Sequence, residues 1–110
     1  IDPAGLIATN NHVVGEARQV TVRLTDGTEL PARVVGADEL TDLAVIRVEA
    51  RRPLPHVAWG NSGAVRIGQW VLAAGSPFGL GGSVTKGIVS AIGREIGAGP
   101  FDDFIQTDAP

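Results

Sequence analysis

The chain has no cysteine and no methionine. Without cysteine there is neither a disulfide framework nor a thiolate metal site. That absence leaves the compartment open, because many periplasmic proteins also lack cysteine. An opening Ile1-Asp2-Pro3 with no methionine is expected of a processed product or an excerpt. No stretch reads as a signal peptide, so any targeting information is expected to lie elsewhere. No apolar run approaches the roughly 20 residues of a membrane-spanning helix. Histidine is scarce: His12 and His56 are the only two. Metal ligands ordinarily arrive as close pairs, so no metal site is expected. Positive charge is thin as well. The net charge is −3 and the longest basic run is Arg51-Arg52, which offers no footprint to nucleic acid or to an anionic membrane surface.

What is abundant is glycine, 15 residues in 110, with 7 prolines. So much turn chemistry, with few helix-favouring runs, leans toward short strands joined by tight loops. At 44% hydrophobic and 19% charged, the composition is that of a soluble globular domain rather than of a disordered segment.

Strand patterns recur along the chain. Leu6-Ile7-Ala8-Thr9 is a short apolar run that reads as a buried strand. Gln19 to Leu24 alternates, Asp26-Gly27 follows, and Glu29 to Val35 alternates again, which predicts a β-hairpin. Leu43 to Val48 is nearly all apolar, as expected of a strand buried on both faces. Glu49 to Asn61 holds prolines and arginines without periodicity and reads as a connector. Gln69 to Gly75 predicts another buried strand. Ser83 to Ile92 predicts a longer one, with Gly87 marking a bulge or bend. Phe104 to Thr107 is the last. Glycine-rich loops at 76–82 and 93–100 separate them, and no segment shows a helical period. The expected class is all-β, a barrel or a sandwich.

Two glycine-rich loops invite a phosphate-binding reading, which the residues exclude. Gly82 and Gly87 have the spacing of a Walker loop, but Ile88 stands where lysine belongs. Gly79-Leu80-Gly81 is followed by Val84 where a dinucleotide fingerprint needs its third glycine. The carboxylate pairs Asp38-Glu39 and Asp102-Asp103 are sequence neighbours whose side chains diverge on a strand, and they read as solvated loop charges. His12, just past a buried strand, and Asp42, entering the apolar run from Leu43, remain. Acyl transfer needs a histidine base and a carboxylate to hold its tautomer. An aspartate entering a strand can also cap a turn, and residue types alone leave both readings open.

The surrounding words narrow them. Thr9-Asn10-Asn11-His12-Val13-Val14 resembles the histidine motif of the HtrA/DegP serine proteases, and Thr41-Asp42-Leu43-Ala44-Val45 resembles their aspartate motif. Gly60-Asn61-Ser62, Arg66 to Val71, Gly75 to Leu80, Val84 to Ala91 and Phe104 to Ala109 follow in that family's order. The resemblance covers nearly the whole chain. It implies a chymotrypsin-like double β-barrel, the first barrel nearly complete in residues 1–55 and the second truncated, with 56–110 as connector and start of the second barrel. It implies His12 as general base and Asp42 as its partner, and Trp70, Phe78, Arg94 and Gln106 as candidates for regulatory loops that control the oxyanion hole. Core packing is an equal expectation for Trp70 and Phe78, and a solvated loop position for Arg94.

The family's Gly-Asn-Ser-Gly-Gly motif is expected shortly after Thr107-Asp108-Ala109, beyond Pro110. These residues are therefore expected to be a fragment of the protease domain that lacks the nucleophilic serine and is inactive alone, with a poorly folding second barrel. Ser62 falls in the connector and is not that motif. Ser76 replaces an asparagine common in the family at that point, a loop change without functional meaning. By resemblance the parent degrades unfolded or misfolded polypeptides in the bacterial periplasm or cell envelope, as a homotrimer, with no metal and no organic cofactor. The alternative is a non-catalytic, protease-like binding or chaperone module.

Overall fold

The alternating segments do form strands, and a computed structural model of the chain describes residues 1–76, 81–94 and 103–110. The chain divides into two units, Ile1–Gly60 and Asn61–Pro110. In the first unit, β1 (Leu6–Asn10), β2 (Gln19–Arg23), β3 (Glu29–Asp38) and β4 (Leu43–Val48) form one antiparallel sheet in the order β1-β4-β3-β2.

The predicted hairpin is β2–β3, closed by the pair Arg23↔Glu29. Its turn works as Asp-Gly turns do: Asp26 Oδ1 accepts the Thr28 N–H at 2.9 Å, and Gly27 takes a φ of 88° that few other residues tolerate. Pro31 lacks an N–H to donate, and it lies just before the β3–β4 ladder begins at Ala32↔Val48, so it interrupts no pairing there.

The core of this unit is one face of the sheet. Ala32, Ile46 and Val48 are buried, and Ile7, Val20, Val22, Leu30, Val34 and Leu54 pack around them. Burying one such side chain stabilises the fold by about 1.5–3 kcal/mol. The expectation that β4 is buried on both faces is corrected. Ala44, Ile46 and Val48 point inward, whereas Leu43 is exposed and Val45 and Arg47 are half-buried. The outward face carries Arg47, whose guanidinium needs water or a partner. The β3–β4 register shifts between Val34 and Gly36, a bulge that takes up Val35 and bends the end of β3. At the far end, Gly5 adopts φ 115° and lies against β4, where a side chain would collide with the Val48 carbonyl oxygen.

A single helical turn, α1 (Asn11–Val14), follows β1 directly. No periodicity revealed it, since one turn is too short to display a 3.6-residue repeat. Val14 is buried and fastens it to the sheet. Gly15 ends it at φ 62°, a positive φ that favours glycine, and donates its N–H to the Asn11 carbonyl.

In the second unit, β5 (Trp70–Gly75), β6 (Ser83–Arg94) and β7 (Phe104–Thr107) form an antiparallel sheet in the order β5-β6-β7, after a 3-10 turn at Ser62–Ala64. Val89 is fully buried. Two expectations are corrected here. Gln69 to Gly75 is not a buried strand: Trp70 and Leu72 are 69% and 71% exposed. Apolar, β-favouring residues form this strand through pairing with β6, while one face has no second layer in its own unit among the described residues. Gly87 is no bulge either. The β5–β6 ladder runs unbroken through Val71↔Gly87, and the register shifts lie beyond it, between Val89 and Arg94 on the β7 side. Glycine is needed at 87 because another stretch of backbone lies against it.

The all-β expectation holds. Neither sheet closes, with β1 and β2 as edges of one and β5 and β7 as edges of the other, as in partly built barrels. Among the described residues no helix is long and apolar enough to cross a membrane.

Candidate active site

The sheet itself brings His12 and Asp42 together. The β1–β4 ladder ends at Asn10↔Leu43, so the residue after β1 lies across from the residue before β4. The Asn11 N–H continues the pattern by donating to the Asp42 carbonyl at 3.0 Å. The chain then turns into α1, and His12 rides on that turn.

Asp42 comes from the short β3–β4 connection. Asp38 organises it, accepting the Thr41 hydroxyl at 2.7 Å and the Leu40 N–H at 3.3 Å. Asp42 leaves the connection at φ 56°, the only positive φ outside glycine among the described residues. Aspartate tolerates this left-handed conformation better than most residues. Such backbone settings persist only where neighbours hold them, and five hydrogen bonds do so here, one of them donated by the Asp42 N–H to the Glu39 carbonyl at 3.3 Å. The carbonyl accepts the Asn11 N–H and Asn10 Nδ2 at 3.0 Å. The carboxylate takes the other two, both from His12. Oδ1 accepts its backbone N–H at 2.8 Å, and Oδ2 meets its Nδ1 at 2.6 Å.

One carboxylate thus grips both the backbone and the ring of one histidine. An ionised carboxylate only accepts, so the proton of this hydrogen bond sits on Nδ1, and in the neutral ring Nε2 keeps a free lone pair. These bonds hold the Asp42 carboxyl below the ordinary aspartate range. The backbone N–H of His12 is the largest cause, and the ring of His12 follows. Asp42 therefore stays ionised near neutral pH. The pair is open to solvent, with side chains 71% exposed for His12 and 44% for Asp42, so it is not a core ion pair. An imidazole with a bare Nε2, and a carboxylate placed to steady the imidazolium, can take a proton from a hydroxyl and return it to a leaving group.

Asn10 belongs to this arrangement and escaped notice as a separate contributor. It occupies the N-cap of α1 but makes no side-chain cap, reaching across to Asp42 instead. An asparagine before a helix normally reads as a cap, so its type alone did not single it out.

The remaining sequence candidates are apart from this pair in the chain. Trp70 stands on β5 and Gln106 on β7, on opposite sides of β6. Trp70 does not pack in a core. It is exposed, and the Lys86 ammonium lies 5.0 Å from its ring centroid, a cation–π contact. Arg94 ends β6. Phe78 lies outside the described residues. His56 is exposed in the connector. Among the described residues, no group of histidine, aspartate and glutamate could hold a metal ion.

Known proteins resemble this chain over nearly its whole length. Over 110 residues the chain is 58% identical to a probable periplasmic serine endoprotease DegP-like of Brucella suis biovar 1 (strain 1330), covering 99% of this chain and 21% of that protein. A protein of the same description from Rhizobium meliloti (strain 1021) is 53% identical over 105 residues, covering 96% of this chain and 21% of that protein. The chain therefore spans about a fifth of the length of these relatives. Among solved structures, an HtrA-type protease AlgW with a decapeptide superposes with a TM-score of 0.89 at 47% identity, over 97% of this chain and 33% of that one. The resemblance read from the motifs and these relatives point the same way. Residues 1–110 match the trypsin-like peptidase domain throughout, and the chain belongs to the trypsin-like peptidase family.

Proposed function

We propose that the protein to which these residues belong is a serine endopeptidase of the HtrA/DegP type, with His12 as its general base and Asp42 as the residue that orients it. The observation that carries this reading is the double grip of Asp42 on the backbone and Nδ1 of His12. A serine outside these 110 residues supplies the nucleophile. Its hydroxyl proton passes to Nε2 of His12 as the oxygen attacks the peptide carbonyl. The imidazolium, steadied by Asp42, then protonates the departing amine, and water repeats the cycle to release the acyl group. Residues 1–55 belong to the first barrel, and 56–110 are the connector and the start of the second.

Unfolded or misfolded polypeptides are the substrates on this reading. The peptides named with the HtrA-type neighbours support a polypeptide ligand, and the periplasmic names of the relatives support a bacterial envelope location. The parent assembles as a homotrimer, and Trp70, Phe78, Arg94 and Gln106 take part in the loop switching that regulates its site.

The test is covalent labelling of the full-length protein by a fluorophosphonate, with the modified residue mapped by mass spectrometry. A serine beyond residue 110 is labelled in the parent and escapes in His12→Ala. No labelling at any serine supports a non-catalytic binding module instead.

A further inference from the structure

Where the β6–β7 ladder ends, side chains take over from backbone pairing. The last register pair is Val89↔Thr107. Past it, Asp108 Oδ1 accepts the Ile88 N–H at 2.7 Å. The Thr107 hydroxyl donates to the Ile88 carbonyl at 2.8 Å, and its oxygen accepts the Ala109 N–H at 3.1 Å. The Asp108 N–H reaches the same Ile88 carbonyl at 3.4 Å. Both backbone groups of Ile88 are thus held by two successive side chains of the departing strand.

Gly87 makes room for this clasp. A Cβ there would lie 2.5 Å from the Ala109 nitrogen, 2.5 Å from Asp108 Oδ1 and 2.8 Å from Ala109 Cα. Gly87 is also paired with Val71 in the β5–β6 ladder, so its backbone cannot withdraw without disturbing that ladder. The chain at Ala109 is therefore pressed onto β6 and tied there by polar contacts that the sheet does not need for its own pairing.

We infer that Thr107 and Asp108 are positioning residues, which fix the path of the chain leaving β7 and so the placement of the reactive segment that follows. This rests on the proposed function, in which the nucleophilic serine comes shortly after Ala109. The clasp asks little of each side chain. Asp108 contributes an acceptor, which an asparagine Oδ1 can replace. The Thr107 hydroxyl is both donor and acceptor, and valine has the same shape without either capacity. Misplacing a reacting group by about 1 Å can cost about 10²-fold in rate.

The experiment is steady-state peptide hydrolysis by the full-length protein, with thermal melting of each variant. Thr107→Val and Asp108→Leu are expected to lower kcat by about 10- to 100-fold with KM nearly unchanged, and Asp108→Asn to keep kcat within about threefold. A kcat within about threefold of the parent in both Thr107→Val and Asp108→Leu overturns the inference. So does a loss in Asp108→Leu that Asp108→Asn shares in full. If Asp108→Leu does not fold, the near-isosteric Thr107→Val decides alone. His12→Ala separates the two levels. If it keeps its activity, the proposed function falls, and the clasp's role with it. If it loses activity while neither Thr107→Val nor a folded Asp108→Leu does, the clasp alone is wrong.

Discussion

Asp42 binds His12 twice, through Oδ1 to the backbone N–H at 2.8 Å and through Oδ2 to Nδ1 at 2.6 Å. Backbone and ring are held by the same carboxylate, so the ring cannot swing away from Asp42 without leaving an oxygen that still anchors its own residue. An exposed histidine on a single-turn helix is held in one orientation by this means.

Asp42→Asn separates geometry from electrostatics. Asparagine tolerates φ 56° and keeps an oxygen for the His12 N–H, so the melting temperature should change by only a few degrees. Its amide cannot both accept from the backbone and stabilise an imidazolium as a carboxylate does. In the full-length protein kcat should fall by about 10⁴-fold, as expected when the tautomer is no longer held. Peptide hydrolysis and melting curves of the same preparation check both halves.

The pH dependence follows from the same contacts. The folded-state pKa of Asp42 is depressed by the His12 backbone N–H and then by the His12 ring, while the unfolded chain keeps the ordinary value near 4. Protons are released on folding, so this contribution is complete above about pH 4 and is lost as pH falls through the lower folded value. Urea unfolding between about pH 2 and 5 should lose stability on acidification more steeply in the parent than in Asp42→Asn. Parallel curves would contradict the linkage.

The sheet that carries the site can be tested away from it. Ile46→Ala, at 4% exposure, should cost about 2–5 kcal/mol, whereas Leu43→Ala on the outward face of the same strand should stay within about 0.5 kcal/mol. Gly5→Ala forces a side chain toward the Val48 carbonyl oxygen at φ 115°, with about 1–3 kcal/mol lost to the backbone setting alone. Denaturant unfolding of the three variants measures each.

The strands were legible because alternation and turn chemistry are local. Asp26-Gly27 announced the β2–β3 hairpin, and Leu43–Val48 was bounded to the residue. The burial of those strands was not legible. Leu43, Trp70 and Leu72 are apolar yet exposed, and which face finds a partner depends on topology rather than on the strand's own residues. His12 and Asp42 stood out through the motifs around them, while their physical linkage depends on features that no spacing announces: a one-turn helix, a left-handed aspartate and an asparagine that reaches past its own helix. Gly87 shows the same limit. A glycine inside a strand pattern reads as a bulge, and only the approach of Ala109 reveals that it is a site of close backbone contact.

The central claim is that His12, held by Asp42, is the general base of a serine endopeptidase. Cleavage of an unfolded polypeptide by the full-length protein, compared with its folded His12→Ala variant, tests it most directly. The predicted result is a loss of about 10⁴- to 10⁶-fold in kcat. Cleavage by the variant within about tenfold of the parent would contradict it.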